Sequence, residues 1–276
     1  MILGVPFLDA PPPVAFAHRG YAPDGSENSM VAFERAVKLG YRYLETDVRA
    51  TADGVALAFH DATLDRVTGQ HGRIGELSWA QVRGARIGGR EPIPVLADLL
   101  SAWPHTRINL DVKSESSIRP TLDAIARTGS IDRVCVGSFS GARVATMRRF
   151  LGEQLCTALA PRDAFALRVA ASRGRLVASR GRPAVSRGRP AAAAPFPRHV
   201  CAQVPYRIGR VKFVDRRFVE LAHRLQLPVH VWTVNDRSEM TRLLDLGVDG
   251  IMTDAAEVLR GVLIERGQWH ATVGGA

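Results

Sequence analysis

Short apolar runs typical of β-strands alternate with amphipathic helical segments along nearly all of the 276 residues. Strands that alternate with helices pair in parallel, because each helix carries the chain back across the sheet. The pattern contains nine candidate strands. This number is too large for a six-stranded open sheet and fits a closed barrel. The sequence therefore predicts the α/β class and a (β/α)8 TIM barrel.

The pattern also predicts where each element lies. Strands are expected at 14–17, 43–48, 55–59, 107–112, 134–139, 155–160, 200–204, 229–234 and 250–252. Helices are expected at 28–39, 78–82, 96–103, 117–128, 142–150, 215–225 and 237–246. One strand exceeds the eight of a barrel, and we expect it to be 200–204 or the segment near Gly250. The turn-rich stretch 62–95 is expected to be a small insertion after the third strand.

The segment 172–190 repeats SRGR at a seven-residue step and holds six arginines and no acidic residue. The whole chain carries a net charge of +10, but without this segment 31 basic residues face 27 acidic ones, a net of +4. Glycine and proline stand where a coiled coil needs apolar residues. We expect a disordered, solvated insert. A specific nucleic-acid arm is not expected, because base-reading and stacking residues are absent.

Three cysteines, Cys135, Cys156 and Cys201, form an odd set without a CxxC pair. This spacing argues against a disulfide framework or a zinc knuckle and fits a reducing compartment. No segment reaches the roughly 18 apolar residues of a membrane helix, so no integral membrane segment is expected. The N-terminus lacks the basic start of a secretory signal. We expect a cytoplasmic protein, and the sequence does not indicate its oligomeric state.

Polar residues gather at the carboxyl ends of four predicted strands, where the loops of a barrel converge on its active site. They are His18, Arg19, Glu45, Asp47, His60, Asp61, Asp111 and Lys113. Residues two apart on a strand point to the same side, so Glu45 and Asp47 face one way. With Asp111 they form an all-oxygen set suited to Mg²⁺ or Ca²⁺.

Two histidines beside such carboxylates suit chemistry at a phosphate. Arg19 and Lys113 offset the charge of phosphate oxygens, and imidazoles move protons at neutral pH. A single histidine at a strand end is more often a structural residue. The joint placement of these groups at successive strand ends favours a shared site.

Spaced motifs run in order from residue 17 to residue 254. They are His18-Arg19-Gly20, Glu27-Asn28, Glu45-x-Asp47-Val48, Thr51-x-Asp53-Gly54, His60-Asp61-x-x-Leu64-x-Arg66-x-Thr68, Asp111-x-Lys113, Ser138-Phe139, Trp232-Thr233-Val234-Asn235 and Gly250-Ile251-Met252-Thr253-Asp254. In this order the chain resembles the glycerophosphodiester phosphodiesterase family. The resemblance covers nearly the whole chain, so it implies a single barrel domain over 1–276.

The resemblance implies hydrolysis of a small-molecule glycerophosphodiester to sn-glycerol 3-phosphate and an alcohol, in lipid and glycerol metabolism. It implies a divalent cation, Mg²⁺ or Ca²⁺. It assigns His18 and His60 as the acid–base pair, and it places the stretch 62–95 over the mouth of the active site. The implied metal ligands are Glu45, Asp47 and Asp111, and the implied phosphate or substrate contacts are Arg19, Lys113, Glu27 and Trp232.

The chain departs from the family pattern at Asp111, where glutamate is usual, and at Ser29, where threonine is usual. The nucleophile stays open between water and a neighbouring hydroxyl of the substrate. A lysophospholipase D-like or phosphoinositide-type reaction is an alternative, which an apolar rim on the mouth would favour. The loops at 69–75 and Asp236 are polar and favour water-soluble diesters. A non-catalytic barrel that binds polyanions through the arginine-rich insert 172–190 is the alternative from another class.

Overall fold

The computed structural model describes residues 5–173, 196 and 200–270. Its strands are β1 (Val14–His18), β2 (Tyr43–Ala50), β3 (Ala56–Ala58), β4 (Arg86–Ile87), β5 (Glu91–Pro92), β6 (Arg107–Val112), β7 (Val134–Gly137), β8 (Cys156–Ala158), β9 (Val200–Pro205), β10 (Arg207–Ile208), β11 (Val211–Lys212), β12 (Val229–Trp232) and β13 (Gly250–Thr253). Its helices are α1 (Met30–Lys38), α2 (Asp65–Thr68), α3 (Trp79–Val82), α4 (Leu96–Ala102), α5 (Ile118–Thr128), α6 (Gly141–Leu151), α7 (Pro161–Ser172), α8 (Arg216–Arg224), α9 (Arg237–Asp245) and α10 (Ala256–Glu265).

Eight parallel strands close into the predicted TIM barrel. They follow each other in the order β1, β2, β6, β7, β8, β9, β12 and β13, and β13 pairs with β1 to complete the ring. The outer faces of the strands and the helices share one apolar core, which includes Phe33, Leu110 and Phe218. Closure makes the carboxyl ends of all eight strands meet at one mouth, which is where barrel enzymes build their sites.

Local sequence signals explain where the first barrel helix begins and ends. Ser29 caps α1, and its side chain accepts a hydrogen bond of 3.1 Å from the amide of Ala32. Such a cap satisfies an amide that has no partner within the helix. Gly40 follows the helix with φ of 93°, a conformation that favours glycine and turns the chain towards β2.

The extra strand is not the one expected from the sequence. Both 200–204 and the segment at Gly250 are barrel strands, as β9 and β13. The additional strand is β3, which pairs antiparallel with β2 at the edge of the ring. The link between β2 and β3 is too short for a crossover helix, so antiparallel pairing is the only geometry open to it. The sequence contained this signal, and the expectation about 200–204 and Gly250 was wrong.

The insertion 62–95 therefore lies between the second and third strands of the barrel, after β3. It contains α2, α3 and the small hairpin of β4 and β5. It has its own apolar cluster, in which Leu64, Ile74 and Ile87 are fully or almost fully buried. Leu57 and Phe59, which precede the insertion, belong to the same cluster, and this cluster is separate from the main core of the barrel.

Two barrel helices were absent from the sequence prediction. The helix α7 buries mainly small residues, among them Ala164, Ala170 and Ala171, so its apolar side is weak in the sequence. The helix α10 follows the last strand and buries Leu259, Val262 and Leu263. These two helices complete the eight that surround the barrel in the part of the chain the structure describes.

The floor of the barrel is apolar and holds the three cysteines. Cys135, Cys156 and Cys201 lie on the neighbouring strands β7, β8 and β9, and all three are buried. Their sulfur atoms lie within 4.8 Å of one another, and they pack in one cluster with Phe7 and Phe16. The fold thus gathers thiols that are far apart along the chain.

The arginine-rich segment 172–190 lies outside the described residues, apart from Ser172 and Arg173. Its flanks are α7, which ends at Ser172, and β9, which begins at Val200. Helix-to-strand connections of a barrel occur on the face opposite the mouth. The described residues that flank the segment therefore lie on the face away from the candidate site.

Candidate active site

A cavity of about 500 Å³ opens at the carboxyl ends of the barrel strands. Its walls differ in chemistry. The charged wall is formed by His18, Arg19, Glu45, Asp47, His60, Asp111 and Lys113. An apolar wall is formed mainly by Phe139, Leu159, Phe165, Ile208, Phe213 and Trp232. It adjoins the charged wall at Phe139, since Lys113 Nζ lies 5.7 Å from the centroid of that ring. A polar end that fixes orientation beside a larger apolar surface is the common construction of ligand sites.

The three carboxylates predicted as metal ligands lie together on two adjacent strands. Glu45 and Asp47 point inward from β2, and Asp47 lies opposite Asp111 of β6 in the strand register. Lys113 lies between the two aspartates, with its Nζ 2.7 Å from Asp47 Oδ1 and 2.6 Å from Asp111 Oδ2. The sequence interval of two residues thus places Asp111 and Lys113 on one side, as expected.

Crowding of these carboxylates changes how readily they ionise. Burial and the nearby charge of Asp47 raise the pKa of Glu45 to about 7. Burial also raises the pKa of Asp111, although Lys113 opposes this effect. Burial would raise the pKa of Asp47 too, but Lys113 and Arg19 outweigh it, so its pKa is lowered. When carboxylates are crowded in a buried site, their mutual repulsion makes it unfavourable for all of them to be ionised at once. A bound cation would offset this repulsion.

The residues present fit a divalent cation. All three ligand candidates offer oxygen, the donor that Mg²⁺ and Ca²⁺ prefer. Asp111 Oδ1 is buried and has no hydrogen-bond partner among the described residues. An orphaned carboxylate oxygen beside two other carboxylates is an incomplete arrangement for protein groups alone. A bound cation would complete it.

His18 is held by a carboxylate from the far end of the chain. Its Nδ1 lies 2.6 Å from Asp254 Oδ1, and Asn235 Nδ2 donates to the other oxygen of Asp254 at 2.8 Å. An ionised carboxylate only accepts, so Nδ1 carries the proton of this bond. The other nitrogen, Nε2, lies 3.7 Å from Glu45 Oε2. Burial alone would lower the pKa of His18, but Glu45 and Asp254 outweigh it and raise the pKa above 6.5.

His60 has a similar support. Its Nδ1 lies 2.5 Å from Oδ1 of the adjacent Asp61. Arg66 of α2 donates from Nε to Asp61 Oδ2 at 2.6 Å and from its Nη2 to Glu27 Oε1 at 2.6 Å. Burial would raise the pKa of Asp61, but the hydrogen bonds from Arg66 and His60 lower it to about 2. The insertion 62–95 therefore supports His60 through Arg66.

Arg19 and Asn28 contact the carboxylates of the charged wall. Arg19 has a left-handed backbone, with φ of 54°, and its amide donates to Glu45 Oε2 at 3.1 Å. Its guanidinium lies 3.1 Å from Asp47 Oδ2. Buried Asn28 donates to the same oxygen at 3.2 Å and accepts a bond of 2.7 Å from Thr46. A left-handed backbone costs conformational energy at a residue other than glycine, and such residues are concentrated at functional sites.

The structure places the predicted residues with one difference. The cavity is lined by His18, His60, Arg19, Lys113, Trp232, Glu45, Asp47 and Asp111. Glu27 is not among its lining residues, because its carboxylate pairs with Arg19 at 3.0 Å and with Arg66 at 2.6 Å. The stretch 62–95 contributes no lining residue to this cavity either. Its role as a cover stays a prediction.

Sequence reasoning assigned no role to Asp254, Asp61, Asn28 and Arg66, although each lies in a quoted motif. All four act on the predicted residues rather than line the cavity. The signal that the sequence offered for these four residues was their position in the quoted motifs. What they contact could not be predicted, because it depends on how distant strands meet.

The closed barrel gathers two histidines, three carboxylates and two cationic side chains in one cavity at its mouth, a set of groups suited to chemistry at a phosphate. Comparison with known proteins gives the family. The profile of the glycerophosphoryl diester phosphodiesterase family matches residues 18–258. The chain belongs to this family.

Curated relatives align with this chain over most of their own length. The chain is 41% identical over 258 residues to a protein of Mycobacterium tuberculosis (strain ATCC 25618 / H37Rv) named probable glycerophosphodiester phosphodiesterase 2, covering 93% of this chain and 92% of that protein. It is 26% identical over 274 residues to a Homo sapiens protein named lysophospholipase D, covering 90% of this chain and 85% of the relative.

Solved structures share the fold. A phosphodiesterase of Oleispira antarctica, in complex with the product sn-glycerol-3-phosphate, superimposes with a TM-score of 0.71 at 18% identity, covering 92% of this chain and 97% of that one. A glycerophosphoryl diester phosphodiesterase domain from Mycobacterium tuberculosis gives a TM-score of 0.74 at 17% identity, covering 92% of this chain and 99% of that one.

None of the helices in the described residues is long and apolar enough to span a membrane.

Proposed function

We propose that this enzyme hydrolyses glycerophosphodiesters to sn-glycerol 3-phosphate and an alcohol, with His18 and His60 as the acid–base pair. One observation carries the proposal. Two histidines, each with Nδ1 on a carboxylate, line a single cavity that also contains three carboxylates and two cationic side chains. Arg19 and Lys113 would repel a cationic ligand, whereas they would attract the anionic phosphate of a phosphodiester.

The metal ligands in this proposal are Glu45, Asp47 and Asp111, and the cation is Mg²⁺ or Ca²⁺. When bound, such a cation polarises a phosphoryl oxygen and offsets its charge. Arg19 and Lys113 hold the remaining phosphate oxygens as charge-assisted donors. The raised pKa of Glu45 is consistent with a ligand set that is overcrowded with negative charge until a cation binds.

The proton transfers fall to the histidines. With Nδ1 bonded to a carboxylate, each ring keeps Nε2 for the reacting atoms. One histidine takes a proton from the attacking hydroxyl, and the other gives a proton to the leaving alkoxide. Asp254 and Asp61 fix ring orientation and stabilise each imidazolium, as carboxylates do behind histidines in other hydrolases.

A second candidate substrate is a lysophospholipid, whose hydrolysis would be of the lysophospholipase D type. The apolar wall favours it, because Phe139, Phe165 and Ile208 line the same cavity as the charged groups. The polar loops at 69–75 had favoured a water-soluble diester, but they do not line the cavity. The Homo sapiens relative named lysophospholipase D is consistent with this candidate.

The proposal is tested by removing each histidine. We expect His18→Ala and His60→Ala each to lower kcat on glycerophosphocholine by about a hundredfold or more, the usual effect of losing a positioned acid or base. The matched control is His105→Ala, since His105 is exposed and lies outside the cavity. Bound metal and circular dichroism should be unchanged. A double variant with wild-type turnover would overturn the assignment.

A further inference from the structure

A small basic hairpin projects from the mouth of the barrel. It consists of β10 and β11, joined through Gly209 and Arg210, and it follows the barrel strand β9. All residues from 207 to 212 are exposed. The strand-to-helix loops of a barrel lie on the same face as its active site. The hairpin therefore lies beside the cavity, and Ile208 lines it.

Exposed apolar side chains are concentrated on this side of the mouth. Phe139, Phe165 and Ile208 lie after β7, β8 and β9 respectively, in a loop, in the first turns of α7 and in the hairpin, and they are 64%, 61% and 58% exposed. Val211 on the hairpin is 72% exposed. Seven large apolar side chains are exposed among the described residues, and four of them are these. Apolar groups gathered at one place on a surface indicate an interaction site.

The hairpin is also strongly basic. Arg207, Arg210 and Lys212 alternate with Ile208 and Val211, and no acidic residue occurs from 205 to 214. Within the described part of the chain, none of the three cations has a carboxylate within 4.0 Å, whereas Arg19 and Lys113 of the charged wall both have one. Arg207 instead lies over the ring of the neighbouring Tyr206, 5.1 Å from its centroid. The charge of the hairpin is thus available to an outside partner.

We propose that this hairpin docks the mouth of the enzyme onto an anionic lipid surface. Apolar tips beside cations match the boundary between acyl chains and anionic headgroups, where both kinds of group are satisfied together. Ile208 and Val211 would enter the boundary, and Arg207, Arg210 and Lys212 would contact the headgroups. The apolar wall is continuous with this surface through Ile208, so a lipid could pass from it into the cavity.

The inference extends the second candidate of the proposed function, since a lysophospholipid resides in such surfaces. A soluble polyanion would use the three cations but leave Ile208 and Val211 in water. The apolar residues thus favour a lipid surface over a soluble polyanion. Basic residues near an anionic surface each strengthen binding by about fivefold, and salt weakens the effect.

The test is sedimentation with vesicles of phosphatidylcholine alone and with about three-tenths phosphatidylglycerol. We expect the enzyme to bind the anionic vesicles more tightly. The triple variant Arg207→Gln/Arg210→Gln/Lys212→Gln should bind them about a hundredfold more weakly, the product of three such losses. Val211→Ser should weaken binding about fivefold through lost apolar burial. Val211→Ser leaves every cation in place, including those of the segment 172–190. A loss of vesicle binding by this variant therefore reports only the insertion of Val211 into the lipid surface.

The matched control is Phe150→Ser, because Phe150 is 63% exposed on α6 but does not line the cavity. It should bind vesicles like the wild type. Equal binding to neutral and anionic vesicles, or unchanged binding of Val211→Ser, would overturn the proposal. Loss of heparin binding by the triple variant with unchanged vesicle binding would indicate a soluble polyanion instead.

Turnover of soluble glycerophosphocholine separates this inference from the proposed function. Arg210, Val211 and Lys212 do not line the cavity, so their substitution should leave this turnover within about twofold of wild type. A wild-type enzyme that does not hydrolyse the diester would refute the proposed function, while the vesicle result would still decide the docking.

Discussion

At the residue scale, each of the two histidines has a carboxylate at Nδ1, but the two carboxylates come from different parts of the sequence. Asp61 is adjacent to His60 in sequence, whereas Asp254 is 236 positions from His18. Asp254 follows β13, and pairing of β13 with β1 brings it to His18. Its second oxygen is held by Asn235 at 2.8 Å, so the carboxylate has a fixed direction. The closure of the barrel is therefore also what completes this pair.

We predict that Asp254→Asn lowers kcat by about a hundredfold with little change in KM, because a neutral amide no longer fixes the ring or stabilises its charged form. The charge of Asp254 raises the pKa of His18. The limb of the pH profile that reports His18 should therefore move to lower pH. Steady-state kinetics on glycerophosphocholine across pH would measure both effects.

The control is Asp132→Asn, an exposed carboxylate far from the cavity, which should leave kcat and the profile unchanged. A variant at Asp254 that kept wild-type kcat and an unmoved limb would show that His18 does not depend on this partner.

Much of the charged wall could be predicted from the sequence, because it obeys local rules. Glu45 and Asp47 face one way owing to the strand period of two, and the structure agrees. The position of Glu27 could not be predicted, because it depends on Arg66 in the insertion. The motif placed Glu27 near the site, but only the fold shows its carboxylate paired with two arginines.

At the element scale, α8 is joined to the strands β12 and β13 by one charged pair. His223 in the last turn of α8 lies 2.7 Å from Asp249 Oδ2, which also accepts from the amide of Val229 at 2.7 Å. The hydrogen bond to Asp249 raises the pKa of His223 above 6.5. Its position at a helix carboxyl end favours the charged form as well.

This pair predicts a pH-dependent stability. A group whose pKa is raised on folding stabilises the fold fully below its unfolded value, near 6.5, and this contribution disappears as pH rises through the folded value. We predict that His223→Gln lowers the free energy of unfolding by about 0.5 kcal/mol near pH 5.5, the scale of a partly exposed pair. At pH 9 the difference should vanish. Urea unfolding at both pH values measures it.

The control is His105→Gln, an exposed residue without an ion pair among the described residues. It should change stability equally little at both pH values. A deficit of His223→Gln that is the same at pH 5.5 and pH 9 would contradict the role of the charged histidine.

Element type was easier to predict than element pairing. Strands with strong apolar runs, such as β6 and β12, were found close to their predicted places. The role of β3 was missed, since a strand's apolar run does not tell which neighbour it joins. The helix α7 was missed because alanines dominate its buried side. Pairing and burial are properties of the assembled ring, which the sequence pattern reports only indirectly.

At the scale of the whole molecule, the candidate site and the described flanks of the arginine-rich segment lie on opposite faces of the barrel. The candidate site lies at the mouth, whereas Ser172 and Val200, between which the arginine-rich segment is inserted, lie on the opposite face. The six arginines of 172–190 supply six of the ten net positive charges. The net charge of the chain therefore says little about the surface around the site.

We predict that deleting 172–190 leaves turnover of small diesters nearly intact. The segment contains no residue that matches a site motif, and shortening a loop changes its closure entropy only logarithmically. The salt concentration that elutes the protein from heparin should fall, because six positive charges that attract a polyanion are removed. Turnover of glycerophosphocholine and heparin elution would be measured on the same preparation. A large loss of turnover would show that the segment shapes the mouth, and unchanged retention would assign the basic field to the barrel.

We propose that the carboxylates at the mouth hold a cation that the hydrolysis requires. The most direct measurement is the release of sn-glycerol 3-phosphate from glycerophosphocholine after dialysis against EDTA, and again after Mg²⁺ or Ca²⁺ is returned. We predict loss of activity on chelation and recovery on return of the cation, with Glu45→Ala and Asp47→Ala inactive but folded. The ligands line a cavity within a complete core, so folding does not depend on the metal. Full activity in excess EDTA would contradict the account.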